Sequence, residues 1–144
     1  MATVEIEGLD ALDKMFADAG EIPFEVTSAA IGAMAAVAEA KVKASGEAMG
    51  VRDPKSRVHI LDKITHTKIK KTDAGGYSDV TFSGSRTRGR TRTRNAEIAF
   101  INEYGKRGQP ARPFIRKAAE EGADAIAAPG KKIIGDWFVK TIEG

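Results

Sequence analysis

The sequence predicts an α+β fold: a small, mostly antiparallel sheet packed against a long alanine-rich helix and a C-terminal helix, with an extended arginine-rich hairpin or loop. Three observations carry this expectation. Phe24 to Met49 is rich in alanine and free of proline, stretches of two-residue alternation occupy the middle of the chain, and helical spacing returns from Phe114 onward. With 144 residues, 42% of them apolar and 30% charged, the composition suits one folded domain spanning residues 1–144.

Thr3 to Glu7 alternates, with Val4 and Ile6 on one side, and reads as a short strand ended by Gly8. Leu9, Leu12, Met15 and Phe16 then recur at helical spacing up to Gly20. Pro23 suits a first helical position, and the long helix that follows carries small side chains on two stripes. Such a helix can lie close to a sheet on one side and to a second element on the other.

Gly50 to Lys55 reads as a loop, and Ile64 to Lys71 as a strand with one polar side. The turn residues Asp73 to Gly76 lead into an alternating Tyr77 to Phe82, so these two strands are expected to form a hairpin. Ala96 to Tyr104 reads as the clearest strand, with Ile98, Phe100 and Tyr104 on one face and Glu97, Ala99, Ile101 and Glu103 on the other. Pro113 opens a helix whose apolar stripe starts at Phe114, and Pro129-Gly130 is expected to break or kink it before a last cluster around Trp137.

The net charge of +3 conceals an asymmetry: residues 1–50 balance to −6, residues 51–117 to +11, and residues 118–144 to −2. A basic middle between acidic flanks favours a polyanionic partner, or head-to-tail contact between copies. Arg86, Arg88, Arg90, Arg92 and Arg94 recur at every second position with no acid among them. If extended, this segment is expected to align all five guanidinium groups on one edge; if flexible, it forms a mobile cationic tether. Either form suits phosphates or carboxylates, and a DNA contact made this way is backbone-directed and salt-sensitive.

Catalysis finds little support. The chain has no cysteine, and His59 and His66 have no acidic cluster beside them that completes a metal site or a triad. On a strand, Glu97 and Glu103 stand ~20 Å apart, too far for a glycosidase pair. Gly105 to Gly108 lacks the phosphate-loop pattern. No metal, no cofactor and no enzymatic activity are expected. The N-terminus shows no basic and apolar leader, and no apolar run reaches the ~20 residues of a membrane span, so synthesis in the cytoplasm is expected.

Asn102, Glu103, Tyr104 and Gly105, followed by Pro110, Ala111, Arg112, Pro113, Phe114, Ile115 and Arg116, resemble a phage signature. It is that of the small head-tail connector, or tail-completion, proteins of long-tailed bacteriophages. The opening Val4 to Leu12 is similar to that family's usual strand, Gly-Leu turn and short helix. Lys117 departs from the pattern, where many members carry another proline, and the arginine-rich stretch is not a general family feature.

The resemblance implies a non-enzymatic virion protein, made in the host cytoplasm, that forms a ring, commonly of six copies. It implies neighbouring head-connector and tail-tube proteins as partners, and DNA passing through the ring. On this reading Glu103, Arg107, Arg112 and Arg116 belong to an assembly interface, and Pro113 and Phe114 are structural anchors. Arg86 to Arg94 face either the DNA or an acidic neighbouring ring. The other reading, from a different class, is a non-specific nucleic-acid-binding protein that uses 86–94 as a clamp.

Overall fold

Alanine-rich, proline-free sequence favours helix, and in the computed structural model it forms a 25-residue helix α1, Phe24–Ala48. Residues 20–52, 59–73 and 75–144 are described; the expected strand at 3–7 and helix at 9–16 lie outside them. A 3₁₀ turn, Ile60–Lys63, follows. Then come strands β1 (Ile64–His66), β2 (Lys70–Thr72), β3 (Gly75–Tyr77), β4 (Val80–Phe82), β5 (Ser85–Arg88) and β6 (Thr91–Arg94). Helix α2, Asn95–Tyr104, and the 30-residue α3, Phe114–Glu143, complete the order. The fold is α+β.

The expected hairpin forms, interrupted once. β1 pairs antiparallel with β4 (Ile64 opposite Phe82) and β2 with β3 (Lys70 opposite Tyr77). Between the two ladders, Thr67 to Ile69 face only Ser78 and Asp79, one residue of excess that behaves as a bulge. Thr67 fills the gap: its N–H donates to the Asp79 carbonyl (2.9 Å), its hydroxyl accepts from the Asp79 N–H (2.9 Å), and the Ser78 hydroxyl donates to its carbonyl (2.7 Å). Among the described residues, three two-stranded ladders therefore replace one sheet.

Small residues set the helix packing, as the two stripes on α1 imply. A methyl group at Gly130 would collide with Met34, one at Gly122 would lie 3.2 Å from Lys41 Cγ, and one at Gly46 would lie 3.1 Å from Phe114 Cδ2. These pairs step in opposite directions, so α1 and α3 run antiparallel in close contact. On the other side of α1, Gly76 of β3 approaches Ile31 and Phe24. The long helix is thus central.

The core gathers Val42, Val51, Ile60, Leu61, Phe82, Ala99, Phe114 and Ala118. Phe114 is 0% exposed and meets the Phe82 ring edge-on, with centroids 6.0 Å apart.

Two expectations are corrected here. Ala96 to Tyr104 is helix, not strand: its buried residues are Asn95, Ala99, Asn102 and Glu103, at helical spacing, while Phe100 and Tyr104 are 62% and 69% exposed. The buried stripe is mostly polar, so apolar alternation points to the wrong element. The second concerns Pro129: a break does not occur there, since the residue lies inside α3, which runs unbroken from Phe114 to Glu143. Proline removes one helical hydrogen bond at a typical cost of about 3 kcal/mol. The next residue, Gly130, packs closely against Met34 of α1, so α3 stays in contact with α1 past the proline.

Candidate functional site

The arginine segment folds as the β5–β6 hairpin, with Arg86 opposite Thr93, Thr87 opposite Arg92 and Arg88 opposite Thr91. Gly89 has φ +62°, and no non-glycine residue among those described has positive φ, which fits a II′ turn with glycine at its first central position. Directly opposed residues share a face, so this two-residue turn splits the arginines. Arg86 and Arg88 lie on one face, Arg92 and Arg94 on the other, and Arg90 at the tip. The expectation of one continuous edge is corrected: a period of two survives along a strand but not through a turn of two residues.

Arg88, Arg90, Arg92 and Arg94 are exposed, while Arg86 is half-buried against the body. Arg92 Nε donates to the Ser85 hydroxyl (2.8 Å), and Arg94 pairs with Glu97 (3.2 Å) on the first turn of α2. Neither contact is buried, and exposed pairs of this kind contribute little.

The signature residues form a second unit. Pro113 occupies the N-cap of α3, as Pro23 does that of α1, one position before the first turn, and neither proline can cap with its side chain. Glu103 from α2 supplies the missing acceptor: its carboxylate accepts from the N–H groups of Ile115 (2.8 Å) and Arg116 (3.0 Å). A carboxylate placed there also faces the positive end of the helix dipole. Glu103 is 9% exposed, so it lies inside the chain and not on the open face expected of it.

Gly105 ends α2 at φ +78°, and a methyl group there would sit 2.8 Å from the Ala111 nitrogen. Both the backbone angle and the close approach require glycine. Lys106 and Gln109 then bridge a tight turn that leaves Arg107 exposed. Arg112 donates from a terminal guanidinium nitrogen to the Gly50 carbonyl (2.9 Å), and Arg116 stays exposed. Of the four residues assigned to an interface, Arg107 and Arg116 face outward, Arg112 is half-buried and Glu103 is enclosed.

The strand expectation puts Phe100 and Tyr104 on one face but does not bring them into contact. Phe100 and Tyr104, four apart on α2, stack at 4.7 Å between centroids in solvent. They stand over a groove of about 470 Å³ lined by Val80, Phe82, Ile115 and Arg116. Reading the segment as a helix is the missing signal: a strand also puts i and i+4 on one face but ~13 Å apart, whereas a helix brings them into contact.

At the end of α1, Arg52 bridges Asp62 (2.9 Å) and Glu47 (3.2 Å). The hydrogen bond from Arg52 is the main cause that holds the Asp62 carboxyl below the usual aspartate range, helped by the charges of Arg52 and Lys43 and opposed by burial. The same hydrogen bond pushes Arg52 up. His66 contacts Glu39, and His59 stands apart from it. No group of three or more potential metal ligands occurs among the described residues, and no described helix is long and apolar enough to cross a membrane. No family model, curated protein or solved structure matches the chain.

Proposed function

We propose that the chain is a structural virion protein that forms a ring at the head-tail junction of a long-tailed bacteriophage, joins or completes the tail, and lets DNA pass. It acts by contact and without catalysis, is made in the host cytoplasm, and meets head-connector and tail-tube proteins. The observation that carries this reading is the Glu103 carboxylate at the start of α3, which joins the two halves of the connector-like signature into one buttress. The resemblance therefore rests on residues that act together.

Three surfaces support ring contacts. The hairpin presents Arg88, Arg90, Arg92 and Arg94, while Glu120, Glu121 and Asp124 of α3 are exposed with the opposite sign. Repetition of such a complementary pair gives a ring when the rotation between neighbours closes and a filament when it does not. Phe100 and Tyr104 offer an aromatic anchor of the kind enriched at the centres of interfaces.

Negative-stain electron microscopy of the purified chain at low salt tests the proposal, with uniform rings of about six copies and an open centre as the expected result. Irregular aggregates or single particles alone would count against it. The second reading, a non-specific nucleic-acid clamp, is favoured by the exposed arginines on both faces of the hairpin. It requires DNA binding by a monomer, with a salt slope that falls by roughly 0.9 for each phosphate-contacting arginine removed.

A further inference from the structure

A cavity of about 540 Å³ opens where the end of α1, the 3₁₀ turn, the base of the β5–β6 hairpin and the loop before α3 meet. Three guanidinium groups line it, from Arg52, Arg86 and Arg112, together with His59, Asn102 and Gln109. No carboxylate among the described residues does so. Arg52 is already compensated by Asp62 and Glu47. Arg86 and Arg112 have no ion pair among the described residues, so two positive charges of the described lining have no carboxylate against them. Two polar atoms of lining residues, closed off from solvent, also lack a partner: Arg86 Nε and His59 Nδ1. A buried donor without an acceptor is rare and destabilising, so a small shift of the Arg86 side chain toward an acceptor in the cavity would be favourable.

We infer that this cavity is a binding site for a phosphate group, held between Arg86 and Arg112. Two guanidinium groups without an ion pair, one of them also bonded to the Gly50 carbonyl, match a phosphate of about −1.5 to −2 charge better than a single carboxylate. The planar fork of arginine suits its oxygens, and the amides of Asn102 and Gln109 sit beside the same space. Arg86 is thereby set apart from the other four arginines of its segment. It turns inward to a formed site, whereas they face solvent. The site does not depend on ring formation. The phosphate is either free in solution or part of a nucleic-acid backbone.

Isothermal titration calorimetry of the full chain separates the possibilities, with inorganic phosphate, acetate and an oligothymidylate without terminal phosphate as probes. Saturable phosphate binding is expected, weakened by about tenfold or more in Arg86→Gln, since a charged hydrogen bond contributes that much. Arg86→Lys, which keeps the charge and the fold but lacks the Nε donor and the fork, should fall in between. Arg90→Gln, at the exposed tip, should bind phosphate like the parent. If the oligothymidylate displaces phosphate from the parent and not from Arg86→Gln, the group comes from a nucleic-acid backbone. If it does not displace it, the ligand is free phosphate. Absence of saturable uptake, uptake unchanged in both Arg86 variants, or acetate binding as tightly as phosphate would overturn the assignment.

Discussion

The arginine hairpin and the Glu103–Arg116 buttress carry much of the charge in the basic middle of the chain, yet they use it in opposite ways. In the buttress, Glu103 is enclosed and saturated by two backbone N–H groups, and Arg112 is tied to the Gly50 carbonyl. In the hairpin, Arg88, Arg90 and Arg92 stand in solvent with at most a single exposed hydrogen bond, that of Arg92 to Ser85. The first arrangement builds the fold, and the second leaves charge available to something outside it. A charged residue in a signature is therefore not by that fact an interface residue. Burial and partners decide.

Substitutions break this contrast at different depths. Phe114→Ala, which empties the centre of the core, should lower stability by ~3–5 kcal/mol in a denaturant titration. Glu103→Ala removes the acceptor from the first turn of α3 and should cost about 1–3 kcal/mol, the range for a lost cap with buried unsatisfied donors. A neutral Glu103→Ala would mean that the buttress does not hold the helix. Replacement of Arg88, Arg90 and Arg92 together by serine should shift stability by no more than about 0.5 kcal/mol, as surface changes do.

The smallest effect concerns pH. The Asp62 carboxyl is held below its ordinary value of 3.8, so its contribution is present above that value and disappears as the pH falls through the lower value of the folded chain. Asp62→Asn should flatten the acid limb of a stability profile below pH 3.8, matching the parent in strong acid and falling slightly below it at neutral pH. An unchanged acid limb would show that the exposed Arg52 bridge carries no linkage.

Much of the fold is legible in the sequence because local and tertiary preferences agree there. Alanine without proline gives α1, small residues on two stripes give its central place, and the alternation of Tyr77 to Phe82 puts Val80 and Phe82 on the inward side. The segment 96–104 misleads because Asn102 and Glu103 are buried for their hydrogen bonds, which no hydropathy pattern reports. Pro129 predicts a break or kink, and the helix runs through it unbroken, with Gly130 close against Met34 of the neighbouring helix. The hairpin is legible as a hairpin, but the division of its arginines depends on the length of the turn at Gly89 and Arg90. The cavity behind Arg86 joins residues from five parts of the chain, α2 included, a juxtaposition that spacing alone does not reveal.

The central claim is that the exposed arginines act between molecules and not within one. It is tested most directly by light scattering on the parent chain and on the Arg88→Ser, Arg90→Ser, Arg92→Ser variant, over a concentration series at low and high salt. The account expects the parent to assemble at low salt and to dissociate at high salt, and the variant to stay monomeric while melting like the parent. A parent that is monomeric throughout, or a variant that assembles as the parent does, would contradict it.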